Sequence, residues 1–203
     1  MGLRLLHLSD IHFRTFDGNE YRDLDADIRT ELEHDLKNLR KIYGKIDLTL
    51  IGGDVAFSGQ KEEYEKANLW IKKISGITGC REEFVFTVPG NHDVERSKIT
   101  HIVSSIQQSL KACGSDRVAI DKLLEGLLRG PDIAYILRPL ENYNNFALRF
   151  GSIPEPGNLL FWEKSFELDG VMLRIRGVNS AIVSNVGDHE NNAKLVLGSH
   201  QSV

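Results

Sequence analysis

The sequence predicts an α/β fold, and two observations predict it. Over residues 1–90, short apolar runs alternate with stretches of helical periodicity, which is the pattern of parallel βαβ units. Each apolar run is also followed at once by polar residues: Asp10 and His12, then Asp54, then Asn91, His92 and Asp93. Open parallel sheets bind ligands beyond the carboxyl ends of their strands, so these clusters are expected along one sheet edge.

Leu3 to Leu8 reads as a first strand, buried on both faces, and a polar loop from Ser9 to Asn19 follows it. Leu24, Ile28, Leu32, Leu36 and Leu39 recur every three or four residues, which predicts one apolar face of a long helix. The acidic residues from Asp23 to Asp35 then form its solvated face, and Gly44 is its stop. Asp47 to Ile51 is a second strand, broken by Gly52-Gly53-Asp54. Tyr64, Ala67, Ile71 and Ile74 mark the buried face of a second helix, with Lys61-Glu62-Glu63 as solvated charge. Phe84 to Val88 is a third strand, ended by Pro89-Gly90.

Residues 98–150 differ in character. Ile99, Ile102, Val103, Ile106 and Leu110 have helical spacing, as do Ile120, Leu123, Leu124, Leu127 and Leu128, and then Ile133 to Phe150. This predicts a helical insert or cap divided at Gly114 and Gly130-Pro131. Tyr143, Phe146 and Phe150 are expected in the core rather than along a substrate wall. Gly151 to Gly157 reads as a connector. Leu159–Leu168 and Val171–Val178, joined by Asp169-Gly170, read as a hairpin. Ala193 to Leu197 reads as a last strand and Ser199 to Val203 as the start of a helix.

The 203 residues carry a formal net charge of −4, with 41% hydrophobic and 27% charged residues. That composition excludes a disordered or fibrous chain. The acidic balance argues against a nucleic-acid coat, though not against phosphate gripped through cations. Cys80 and Cys113 form no CxxC pattern and read as free thiols of a reducing, cytoplasmic compartment. The apolar start is too short for a signal segment or membrane span.

Asp10-Ile11-His12 places a carboxylate and an imidazole two residues apart, a pair suited to Mn, Fe or Zn. By itself the pattern is common. Gly53-Asp54 reads either as a helix cap or as a carboxylate placed to bridge two cations. Gly90-Asn91-His92-Asp93 is more specific, and chance produces it on the order of once in a thousand chains of this length. His92 is suited to acid–base work near neutral pH. Arg14 and Arg96 each fit either a phosphate contact or a surface ion pair, the surface one favoured for Arg14.

Taken in order, LSDIH, IGGDVAFSG and VPGNHDVER resemble the calcineurin-like metallophosphoesterase superfamily, clearly over residues 1–96 and weakly through Asn179-Ser180-Ala181. The resemblance implies a β-sandwich flanked by helices, with the 98–150 insert inside a single domain. It implies two divalent metal ions (Mn, Fe, Zn or Ni, with Mn favoured) that activate a bridging hydroxide against a phosphate ester. Asp10 and His12 would ligate the first metal, Asp54 both, and Asn91 the second. His92 would aid the leaving oxygen, with Asp93 orienting it. The family's later histidine motifs are not matched: past residue 101 only His189 and His200 occur. The expectation is therefore an incomplete domain, with its C-terminal part missing and a further domain beyond residue 203. Asp54 lacks the Val-Asp-Arg-Gly stretch of the phosphoprotein phosphatases, and the third motif ends in Asp93. Both features resemble the bacterial phosphodiesterase and nuclease branches. The implied substrates are a cyclic nucleotide, a nucleic acid or a small phosphodiester. A metal- or phosphate-sensing module without catalysis is the alternative.

Overall fold

The computed structural model describes residues 2–15, 25–154, 160–168, 170–185, 188 and 196–199. Strands β1 (Leu5–Leu8), β2 (Leu48–Ile51) and β3 (Val85–Thr87) form a parallel sheet in the order β1-β2-β3. Helices α1 (Ala26–Tyr43) and α2 (Lys61–Thr78) are its crossovers. Helices α3 (His101–Ala112), α4 (Arg117–Arg129), α5 (Ile133–Leu137) and α6 (Glu141–Leu148) follow β3. Strands β4 (Phe161–Leu168) and β5 (Val171–Val178) then pair as an antiparallel hairpin.

The alternation of side chains along β2 and β3 makes two cores from one sheet. Ile51 and Val85 face α2 and α6, joining Ala67, Ile71, Ile74, Tyr143, Phe146 and Phe150. Leu48, Leu50, Phe86 and Val88 face the hairpin, joining Trp162, Phe166 and Ile175. Here Phe86 stacks on Trp162 at 5.5 Å and on Phe166 at 5.7 Å. The Trp162 Nε1–H donates to the Thr87 carbonyl at 3.0 Å. Gly177 lies directly across from Trp162, and a Cβ there would overlap the indole. The sheet is thus covered by helices on one face and, over β2 and β3, by strands on the other, the mixed α/β layering expected. Tyr143, Phe146 and Phe150 are core residues, as expected.

Several expectations need correction. β1 is not buried on both faces among the described residues: Leu5 and Leu3 are each 46% exposed, because the hairpin covers β2 and β3 but not β1. On α1, Leu36 is buried, but Ile28 and Leu39 are exposed while Arg29 and Glu33 are buried. Leu32 and Leu36 keep to the core as expected, and partners explain why Arg29 and Glu33 join them. Arg29 lies 4.4 Å over the Phe13 ring and donates to the Ile11 carbonyl at 3.2 Å, and Glu33 pairs with Lys73 at 2.6 Å. Glu63 is not solvated either. Its carboxylate accepts the Ser58 and Gln60 N–H groups, each at 3.0 Å, capping α2 and shaping the loop before it. The expected helix from Ile133 to Phe150 is broken into α5 and α6 by a turn at Arg138–Leu140, where Pro139 lacks an N–H.

The expected helix residues before 25, the Asp169 corner, most of the strand Ala193–Leu197, His189 and His200 lie outside the described residues. Val196 and Leu197 themselves carry no strand.

Candidate metal centre

The site sits where the loops after β1, β2 and β3 meet. The first two loops are joined by backbone hydrogen bonds. Asp10 N–H donates to the Gly53 carbonyl at 3.2 Å, His12 N–H to Asp54 at 3.0 Å, and Phe13 N–H to Val55 at 2.9 Å. Phe57 N–H returns the bond to the Phe13 carbonyl at 3.0 Å. Holding this ladder just past the strand ends forces Asp10, His12 and Asp54 to φ of 55°, 52° and 53°. These are the positive-φ residues other than glycine among the described ones. The left-handed region is unfavourable for residues with a Cβ and collects at functional sites.

That backbone aims three side chains at one point. A ligand atom from each of Asp10, His12 and Asp54 lies within 4.8 Å of the other two. The His12 Nε2 is 3.9 Å from Asp10 Oδ1, and the Ser9 hydroxyl donates to Asp10 Oδ2 at 2.5 Å. His12 Nδ1 is buried and has no hydrogen-bond partner among the described residues. Two carboxylates and an imidazole gathered this closely are a donor set suited to a divalent cation. The residues present therefore fit a divalent metal.

The third loop closes on the same point through glycines. A Cβ on Gly90 would overlap the Asp54 carboxylate. One on Gly53, at φ +113°, would stand 2.8 Å from Gly90 N. With both side chains absent, Asp54 Oδ1 reaches the His92 N–H at 2.8 Å. Asn91 opens the turn Asn91–Asp93 between Gly90 and His92, half-buried.

The His92 imidazole meets His12 edge-on, ring centroids 4.7 Å apart. Its Nδ1 lies 2.8 Å from the Phe57 carbonyl. A carbonyl only accepts, so Nδ1 carries the proton. The Phe57 carbonyl therefore fixes the His92 ring, and among the described residues the Asp93 carboxylate makes its hydrogen bonds elsewhere. The Asp93 carboxylate is instead buried among backbone N–H groups and the Tyr64 hydroxyl. Burial pushes its pKa up to about 6, against the pull of those hydrogen bonds.

Phe57 and Tyr64 were not found from the sequence. A carbonyl that orients a histidine leaves no trace in residue type, and Tyr64 looked only like a core residue. The Arg14 guanidinium lies 3.6 Å over the Phe57 ring and 3.6 Å from Asp25. Arg96 stands half-buried in the turn Arg96–Lys98. Among the described residues, no helix is long and apolar enough to cross a membrane.

A family model described as calcineurin-like phosphoesterase matches residues 3–201. A search of the curated proteins finds no match.

Proposed function

From the premise that this chain belongs to the calcineurin-like phosphoesterase family, whose members carry out metal-dependent hydrolysis of phosphate esters, we propose that its substrate is a phosphodiester. The carrying observation is the convergence of Asp10, His12 and Asp54, each in a left-handed backbone conformation, on one point. Asp10, His12 and Asp54 would hold one cation, and Asp54 with Asn91 a second, manganese being the favoured ion. Divalent cations here would supply charge neutralisation of the phosphate and acidify an attacking water. His92 holds a proton at Nε2 in its charged form and gives it to the leaving oxygen. Phe57, through its carbonyl, keeps that nitrogen turned away from the loop.

The diester preference rests on the sequence after Asp54, Val55-Ala56-Phe57-Ser58-Gly59, and on Asp93 closing the third motif. The net charge of −4 favours a small ester over a nucleic-acid strand. The unpaired cysteines Cys80 and Cys113 support a cytoplasmic location. We assign residues 98–150 to a helical insert of the same domain.

The test is manganese-dependent hydrolysis of an aryl phosphodiester and of the matching monoester. The diester is expected to turn over faster, Asp54→Asn to abolish turnover, and chelation to do the same. His92→Gln is expected to keep manganese affinity and lower kcat by about 10² to 10⁴. Equal turnover by wild type and Asp54→Asn would sink the metal assignment. Faster monoester cleavage would sink the diester preference alone.

A further inference from the structure

Asp93 is completely buried and makes no contact with a candidate ligand side chain among the described hydrogen bonds. Its carboxylate binds three segments together. Oδ2 accepts the Gly90 N–H at 2.9 Å and the Val55 N–H at 3.4 Å. Oδ1 accepts the Ala56 N–H and the Tyr64 hydroxyl, each at 2.9 Å. Val55 and Ala56 directly follow Asp54, and Gly90 directly precedes Asn91 and His92. In the opposite direction, Asp54 Oδ1 accepts the His92 N–H at 2.8 Å. Each loop thus holds the other's backbone through an aspartate carboxylate.

We infer that Asp93 is a positioning residue that fixes the Asp54 loop against the Asn91–His92 turn, with Tyr64 tying the pair to α2. The residue type follows from the donor count. Four donors converge on two oxygens, which only a carboxylate satisfies from both sides. An Asn at this position would turn an NH2 toward backbone N–H groups, leaving buried donors facing each other. The role in catalysis rests on the hydrolase reading above, but the coupling of the two loops stands without it.

Amide hydrogen exchange on the metal-free chain tests the coupling at groups Asp93 does not touch. In Asp93→Asn, exchange at the His92 and His12 N–H groups is expected to rise at least about tenfold, while Ile71 and Ile74 in α2 keep their protection. Tyr64→Phe removes one donor of four and is expected to raise exchange at His92 about threefold, and it decides the matter if Asp93→Asn does not fold. Manganese affinity, by calorimetry, is expected to fall about 10- to 100-fold in Asp93→Asn, with kcat reduced more than KM is raised. Exchange at His92 and His12 unchanged from wild type in the folded variants would overturn the inference. A wild-type chain that binds no manganese would instead overturn the hydrolase reading, and the exchange measurement would still judge Asp93.

Discussion

Single residues at the site are constrained by backbone more than by one another. Gly53 and Gly90 are glycines because their neighbours leave no room, and Asp54 is strained because the ladder to Asp10 and His12 holds it so. Asp93 adds a cost that can be measured. Burial raises the pKa of its carboxyl in the folded chain to about 6, above the ordinary value of 3.8, so between those values the folded chain binds the proton that the unfolded chain has lost. Stability of the metal-free chain is therefore greatest below pH about 4 with respect to this group, and falls as pH rises through about 6. The loss is on the order of 3 kcal/mol. Urea unfolding at pH 4.5 and pH 7 should show about 2 kcal/mol of that fall in wild type and none in Asp93→Asn, and parallel pH profiles for the two would refute it. Asp10, His12, Asp54 and the Gly-Asn-His-Asp run were legible because side-chain type and order carry them. Phe57's part was not, because its carbonyl is common to every residue.

At the scale of elements, the apolar repeat found α2 correctly and α1 in part: Leu32 and Leu36 pack against the core, whereas Ile28 and Leu39 are exposed. Periodicity ranks residues by polarity, whereas burial on α1 was decided by partners: Phe13 and the Ile11 carbonyl for Arg29, Lys73 for Glu33. Glu33→Ala is accordingly expected to destabilise by about 1–3 kcal/mol, since it leaves Lys73 without its partner and opens a buried position. Ile28→Ala, on a residue 67% exposed, should stay within about 0.5 kcal/mol. Denaturant midpoints of the two variants would check the order, and a larger loss from Ile28→Ala would reverse the assignment of faces. The break at Pro139 was available in the sequence, since proline cannot supply the helical N–H, but the apolar repeat on either side of it hid the boundary.

Across the whole molecule, the parallel sheet separates the packing of α2 and α6 from that of the hairpin. The hairpin was legible as a pair of strands around a turn, but its place on the sheet was not, because that depends on Trp162 finding Phe86 and the Thr87 carbonyl. Gly177 is the point where this packing admits no substitution. Gly177→Ala is expected to cost about 1–3 kcal/mol by forcing the indole off Phe86. Trp162 fluorescence should report the displacement, and an unchanged emission spectrum with wild-type stability would contradict it.

The ladder joining the first two loops has a consequence for how the chain is made. Asp10, His12 and Asp54, with every backbone bond that bends them together, lie between residues 10 and 57. Trp162 and the hairpin that seals the opposite face come more than a hundred residues later. On a ribosome the cation-binding cluster is therefore translated in full while half the sheet still lacks its cover. Once β3 has also been made, a nascent chain still without its hairpin presents Leu48 and Phe86 to solvent on one side and the Asp10, His12 and Asp54 cluster on the other. That uncovered face is where such a chain is most prone to aggregate until the hairpin arrives.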